Sequence, residues 1–576
     1  MSFSDDKQPD VRAEPVNEAD GRASRAAEAV AWQAVAIEED PVHSPGPRPP
    51  AGDTARRRLA FSAIFFSFAT ALSRIVGLVR EIIAAAVFGV SGPASAFQAA
   101  FLVPNLVRAL FADAALQAAF VPVFSELLEK GQRREAFRVA STLPYIILLA
   151  LGLITGLFIL AAPWVMPLFA PGLNAENTHL MIGLSRVLFP IVVLLGVTGL
   201  LVGMLNSFDH FSVPAIAPLF WNVAIIACIV GLTPAFAGGE QLYAYAIGVV
   251  AGTVIQMLMP LPVLRRKASG ERFGRVFDWR SPYVKRVLVL MAPVSIGLGL
   301  INFDLAINSI IGSLVSQDAV SAINTAFRVF MLPQGIFSVA IATILFPTLS
   351  RLAARGDTDG MRTTVGNGVR QMYMLLIPAA VASAVLATPI VRLVFERGEF
   401  SAADTTLVAG ALFWFAFSLP TSGSNLLYTR TFFALQRPWF PTGLAVFSLA
   451  INAAVSYAFY KPFGVAGVVG ATAFASVFMT VAQAHYLREP LGGIEAAKTI
   501  RTVLQMLLAA AGLAVTSYLV WYGLDQALGR SIPAQIVSLS AALGTGAAVY
   551  TGAVFAIGIE EAHQVRRLIA GRLRRG

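Results

Sequence analysis

"SRIVGLVREII", residues 73–83, lies inside an apolar run from about Leu59 to Val90. That run is long enough to cross a bilayer, which takes about 20 residues of helix. Arg74, Arg80 and Glu81 interrupt it. A charged side chain near mid-bilayer costs about 2.5–3.5 kcal/mol on insertion scales. A helix that carries three within two turns is expected to turn them toward something other than lipid.

Of 576 residues, 56% are hydrophobic and 13% charged, and the mean hydropathy is +0.70. Soluble chains average about 25% charged residues, so the sequence reads as a polytopic membrane protein. The net charge of +10 does not call for nucleic acid, because the basic residues gather in short loops between apolar spans, as the positive-inside rule requires. Cys228 is the single cysteine. It can form no intramolecular disulfide and no thiolate metal cluster.

Residues 1–55 are rich in acids and Ala, with the Pro-rich "HSPGPRPPAGD" near their end. They are expected to be a disordered cytoplasmic tail without the apolar core of a cleaved signal peptide. A basic tail, 561–576, ends the chain. Neither tail can build a packed domain. A chain lacking 1–55 and 564–576 is expected to transport as the full chain does, and inactivity of a well-expressed truncation would show a docking element in one tail.

Fourteen spans are expected, near 59–90, 93–113, 139–169, 178–206, 213–236, 242–264, 284–315, 319–349, 368–395, 402–434, 440–460, 464–487, 500–524 and 533–559. One set of alternate loops holds Arg56, Arg57, Arg58, Lys130, Arg133, Arg134, Arg138, Arg265, Arg266 and Lys267, and later Arg351, Arg355 and Arg362. The opposite set holds little beyond Arg397, Lys461 and Arg530. Both termini are therefore expected in the cytoplasm.

The two halves repeat at an offset of about 227. "FVPVFSELLEKG" (120–131) matches "LFPTLSRLAARG" (345–356), "AAPWVMPLFAPG" (161–172) matches "ATPIVRLVFERG" (387–398), and Pro214 matches Pro441. Each repeat holds six spans, so both cross in the same direction. The expected fold is all-α, with two parallel six-helix lobes, 56–282 and 283–490, and two extra spans in 491–560. Parallel repeats of this kind are a transporter architecture with the site between the lobes.

Arg108 ("PNLVRAL") and Arg328 ("NTAFRVF") lie in the second span of each lobe and join Arg74 and Arg80. Acids to balance them are few: Glu81, Asp113 and Asp304. One arginine near a helix end can snorkel to the headgroups, and Arg74, seven residues before Glu81, is nearly aligned with it and could pair with it. Four arginines in apolar context point instead to a cavity that receives an anion, and the guanidinium fork fits phosphate bidentately. Prolines 104, 122, 163, 190, 214, 293, 333 and 347 are expected to interrupt several helices.

"SRIVGLVREIIAAAVFG", then "ASAFQAAFLVPNLVRALFADAALQAAFVPVFSELLEKG", resembles the amino-terminal signature of the MurJ (MviN) lipid II flippases of the MOP exporter superfamily, and the likeness runs over about residues 59–560. It implies a V of two lobes with two extra helices that form a groove for a polyprenyl tail. It implies a cationic cavity for a diphosphate, with Arg74, Arg80, Arg108 and Arg328 as substrate-binding residues. Ser95 joins that set, standing where the family often has an acid. Some relatives hold sodium among spans 7, 11 and 12; Asp304, Asn452 and Thr472 resemble those ligands, with Ser456 where a further acid is expected. The resemblance also implies an undecaprenyl-type lipid-linked substrate, surrounding membrane lipids, and a monomer beside cell-wall synthesis machinery in the bacterial inner membrane.

The chain has no GxxxxGK, HExxH, CxxC or GxSxG motif, and its five histidines are dispersed. No cofactor is expected; energy would come from a sodium or proton gradient or the membrane potential. Two alternatives stand beside the flippase: another exporter of this fold, for a different lipid-linked oligosaccharide or a small molecule, and a membrane glycosyltransferase or ligase. The enzyme would need catalytic acids or a histidine in a large outer loop, and the outer loops are short.

Overall fold

The computed structural model describes residues 53–111, 113–208, 210–267 and 277–562, and both tails expected from the sequence fall almost wholly outside these. The described chain is helix joined by short turns, with no strand among the described residues. The first half comprises α1 (Asp53–Phe88), α2 (Gly92–Phe111), α3 (Asp113–Glu129), α4 (Arg133–Phe169), α5 (Ala175–Leu188), α6 (Ile191–Ser207), α7 (Ser212–Leu232), α8 (Leu242–Leu258) and α9 (Pro260–Lys267). The second comprises α10 (Pro282–Val315), α11 (Ala319–Ala354), α12 (Thr358–Val385), α13 (Ala387–Phe395), α14 (Ala402–Ala416), α15 (Leu419–Ala434), α16 (Trp439–Phe463) and α17 (Val465–Leu487). A hairpin of α18 (Ala496–Leu528) and α19 (Ile532–Ile557) completes the fold.

Among the described residues ten stretches are long and apolar enough to cross a membrane, or eleven when α14 and α15, bent by 46°, count as one. The chain is an all-helical, multi-pass membrane protein. The expected count of fourteen is not reached by length and apolarity alone. The other three helices are α1, α2 and α10. Arg74, Arg80 and Glu81 in α1, and Gln98, Asn105 and Arg108 in α2, make these two less apolar than lipid-facing spans. α10 is continuous from Pro282 to Val315; its side chains at 292–302 lie outside the described ones, and Phe303–Val315 is its described apolar part.

Four expected spans are each divided between two helices: 178–206 into α5 and α6 at Phe189–Pro190, 242–264 into α8 and α9 at Met259, 368–395 into parts of α12 and α13 at Leu386, and 402–434 into α14 and α15 at Phe417–Ser418. Pro104, Pro122, Pro163, Pro333 and Pro347 lie within helices and end none of them. Neighbouring helices and local adjustment can satisfy the carbonyl that each proline orphans.

The outer surface follows bilayer physics. On α4, Leu149, Leu153, Leu157, Leu160, Trp164 and Leu168 are exposed and recur every three or four residues, one stripe of the helix. Its other face sends Leu151, Phe158, Ala162 and Met166 into a core of residues between Ala84 and Val287. There Phe158 stacks on Phe189 with ring centroids 3.7 Å apart. A second core runs from Ile311 to Leu491 and takes in Val90 from the turn after α1. Where helices cross closely the contact is small: Gly252 lies against the Trp221 backbone and Gly467 against that of Phe459. Lipid tails are as apolar as leucine, so such close backbone approach, not hydrophobic exclusion, holds membrane helices together.

The α18–α19 hairpin is fixed to α12 and α13. Met506, Ala509, Leu513, Tyr550 and Val554 bury Met374 and Ile377, and the Tyr550 hydroxyl donates to the Met374 carbonyl at 3.0 Å. Ion pairs lie at both ends. Arg370 pairs with Glu561 and, at 2.6 Å, with Glu495; Arg392 pairs with Asp525.

Candidate functional site

Glu81 is the centre of the site. It follows Arg80 on α1, and its Oε1 accepts hydrogen bonds from Arg80 Nη2 and, across the lobes, from Arg328 Nη1 on α11. The Arg80 guanidinium also lies over the Trp221 ring of α7, 4.8 Å from its centre, and Trp221 Nε1 is fixed by Thr253 Oγ1 at 3.1 Å. Arg328 reaches Gln98 Oε1 on α2 at 3.4 Å. Two lobes thus meet at one carboxylate. The pairing of Glu81 with Arg74 that helical spacing allows is not the one found, because Arg328 arrives from the other lobe on the Arg80 side.

The remaining arginines form a second tier. At a rise of about 1.5 Å per residue, Arg80 lies about 12 Å from the end of α1 at Phe88 and Arg328 about 13 Å from the start of α11, whereas Arg74 and Arg108 lie more than about 20 Å from the same end of the lobes. Arg74 is exposed and approaches Gly335 on α11, where a Cβ would stand 3.6 Å from its Nη1. Arg108 turns to Asn105 Oδ1, at 3.0 Å from Nε and 2.7 Å from Nη2. Between the tiers a cavity of about 370 Å³ opens between α2, α10 and α11, lined by Gln98, Asn105, Ser309, Asn324, Phe327 and Arg328 among others. Gln98, Asn105 and Trp221 were missed by sequence reasoning. The first two had a signal, as lone amides in an apolar span.

Ser95 does not share the cavity wall. It is fully buried, and its Oγ accepts the Ser321 backbone N–H at 3.0 Å, one helical turn from Gln98. It is a contact between the lobes in this conformation rather than a ligand.

Asp304 and Asn452 are brought together: Asn452 Nδ2 donates to Asp304 Oδ1 at 2.5 Å, and Ser456 donates to Asn452 Oδ1 at 3.2 Å. Thr472 instead donates to Asn308 Oδ1 at 3.4 Å. Of the three residues only Asp304 and Asn452 are in contact, and Thr472 faces Asn308 instead. The side chain of Asp113 lies outside the described ones.

Arg328 of the second lobe borders the cavity between the lobes, and Arg80 of the first lobe meets it at Glu81. The sequence model of the family described as lipid II flippase MurJ matches residues 84–536. The lipid II flippase MurJ of Burkholderia cenocepacia is 32% identical over 508 residues, 86% of this chain and 97% of that protein. A probable lipid II flippase MurJ of Rhizobium meliloti is 29% identical over 518 residues, 87% of this chain and 94% of its own. Among solved structures, a lipid II flippase MurJ in an inward closed conformation superposes with a TM-score of 0.69 at 22% identity, over 85% of this chain and all (100%) of that one. An inward-facing multidrug resistance MATE family transporter of the MOP superfamily gives 0.62 at 18%, over 73% and 94%. The chain belongs to the lipid II flippase MurJ family.

Proposed function

We propose that this transporter flips lipid II, a lipid-linked diphosphate, from the cytoplasmic to the outer leaflet of the bacterial inner membrane, with both of its termini in the cytoplasm. The observation that carries the reading is the Arg80–Glu81–Arg328 bridge between the lobes, beside a cavity that Arg328 borders. Four guanidiniums share this region with Glu81, which leaves a strong positive field for a diphosphate. The phosphates can compete with Glu81 for Arg328, so that binding changes the contact between the lobes and couples substrate to motion. The lysine and arginine bias of alternate loops supports the orientation. In this reading the far ends of the lobes, near Phe88, Val315 and Ala319, face outward, and the cavity opens toward the cytoplasm. The membrane potential or a sodium or proton gradient supplies the energy.

The test is growth after depletion of the host's own flippase. The wild-type chain is expected to sustain wall synthesis, and Arg74→Ala, Arg108→Ala and Arg328→Ala each to fail while reaching the membrane in normal amount. Full complementation by two of the three would overturn the cationic-cavity reading. Flipping of lipid II by the purified, reconstituted chain, against another undecaprenyl-linked oligosaccharide, separates the flippase from an exporter of the same fold with a different cargo.

A further inference from the structure

The far ends of the lobes are joined twice, in the same way. The repeated stretches "AAPWVMPLFAPG" (161–172) and "ATPIVRLVFERG" (387–398) both end on glycine, and both glycines reach the other lobe. The Gly172 N–H donates to Ser313 Oγ at 3.1 Å, and its α-carbon lies so close to the Ser313 carbonyl that a Cβ would overlap that oxygen. Gly398 lies against the Ala86 carbonyl with the same result, and the next N–H, of Glu399, donates to that carbonyl at 2.8 Å. Ser313 and Ala86 are repeat equivalents too, at the offset of about 227, near the far ends of α10 and α1. Each lobe therefore sets a glycine loop on the end of the other lobe's first helix.

The surroundings reinforce both docks. Gln317 donates to the Gly172 carbonyl at 2.8 Å and accepts from the Asn174 N–H at 3.0 Å and from Asn177 Nδ2 at 3.1 Å. At the other dock Gly89 and Gly398 both take positive φ, +58° and +61°, where a side chain is strained. A Cβ on Gly89 would stand 2.7 Å from the Glu399 carbonyl oxygen. Backbone against backbone leaves no side chain that could move aside, so an added methyl must push the lobes apart.

We propose that Gly172 and Gly398 are a reciprocal pair of latches that seal the far end of the central cavity, and that both release each time the lobes part there. The side to which that end opens rests on the orientation proposed above. The experiment starts from Cys228→Ala, which removes the single native thiol, and adds Ser321→Cys as reporter. Ser321 is buried at the lobe contact, and the substitution keeps its backbone N–H bond to Ser95. A membrane-impermeant maleimide is applied to right-side-out and to inverted vesicles. Ala140→Cys, in the fully buried core of the first lobe, serves as the control for unfolding.

Gly172→Ala and Gly398→Ala are each expected to raise labelling at 321 about ten-fold in right-side-out vesicles, the size of an overpacking penalty read as a population shift. Ser313→Ala, which adds no bulk and removes the Gly172 bond together with one to Ile310 in its own helix, should raise it about three-fold. Unchanged labelling in both kinds of vesicle overturns the latches. A rise confined to inverted vesicles supports them and overturns the orientation. Where a glycine variant also exposes position 140, Ser313→Ala and Gln317→Ala decide, and no rise in either overturns the proposal.

Discussion

Glu81→Gln is expected to abolish complementation while the protein still reaches the membrane. Glutamine keeps the shape of the side chain and one acceptor oxygen, but it removes the charge shared by Arg80 and Arg328. The side chains of Glu81 and Arg80 are only 13% and 11% exposed, so water compensates little. Two like charges about 4 Å apart repel by about 4 kcal/mol at an effective dielectric of 20. Removing one partner of a buried pair costs about 3–5 kcal/mol. Either figure is enough to shift the balance between joined and parted lobes by two or more powers of ten. Colony counts on depletion of the host flippase should therefore fall by at least about 100-fold. A second variant separates the two roles of the bridge. Glu81→Gln with Arg328→Gln removes both charges, so melting in detergent should recover toward wild type, whereas transport should not, because the substrate has lost a guanidinium. Normal growth with Glu81→Gln would show that the bridge is structural decoration.

The charges in the first span were legible because charge within an apolar run has no neutral explanation. Their pairing was not. Helical period places Arg74 and Glu81 on one side of α1, yet the partner of Glu81 comes from α11, 247 residues away. Ser95 joins the arginines only through the family resemblance, and only the packing of α2 against the start of α11 reveals that its hydroxyl accepts a backbone N–H. The repeat was legible in three short matches, and it foretold that Gly172 and Gly398 occupy equivalent places, though not that each touches the other lobe. Helix breaks were the least legible. Pro190 does mark the break between α5 and α6, but the run through Leu386 continues without a change of composition, and other prolines that announce a break, such as Pro104 and Pro333, are carried inside helices. In lipid the period of hydrophobicity says which face is outermost, not where the backbone bends, since a bend inside the bundle leaves the outer stripe apolar.

Arg370→Met is expected to give the largest loss of stability. Sequence offers no reason to single it out, since an arginine near a span end normally serves the headgroups. In the fold it is 1% exposed and wholly engaged: Nε pairs with Glu561, Nη1 with Glu495 at 2.6 Å and Nη2 with Asn367. Glu561 is itself only 2% exposed. Methionine fills much of the same volume but leaves that carboxylate buried without its cation, at a cost of about 3–5 kcal/mol. The loss falls on one joint, because α18 and α19 are held to α12 by this cluster at one end and to α13 by Arg392–Asp525 at the other. Asp525→Asn should cost less, since its side chain is 11% exposed and Arg392 keeps its position over Trp521. Melting in detergent is the measurement, and a double variant is the check. Arg370→Met with Glu561→Gln removes both charges, and it should be more stable than Arg370→Met alone, as the coupling of a contacting pair requires. If the double variant melts no higher than the single, Glu561 is not the group that Arg370 neutralises, and Glu495, at 25% exposure, holds the joint instead.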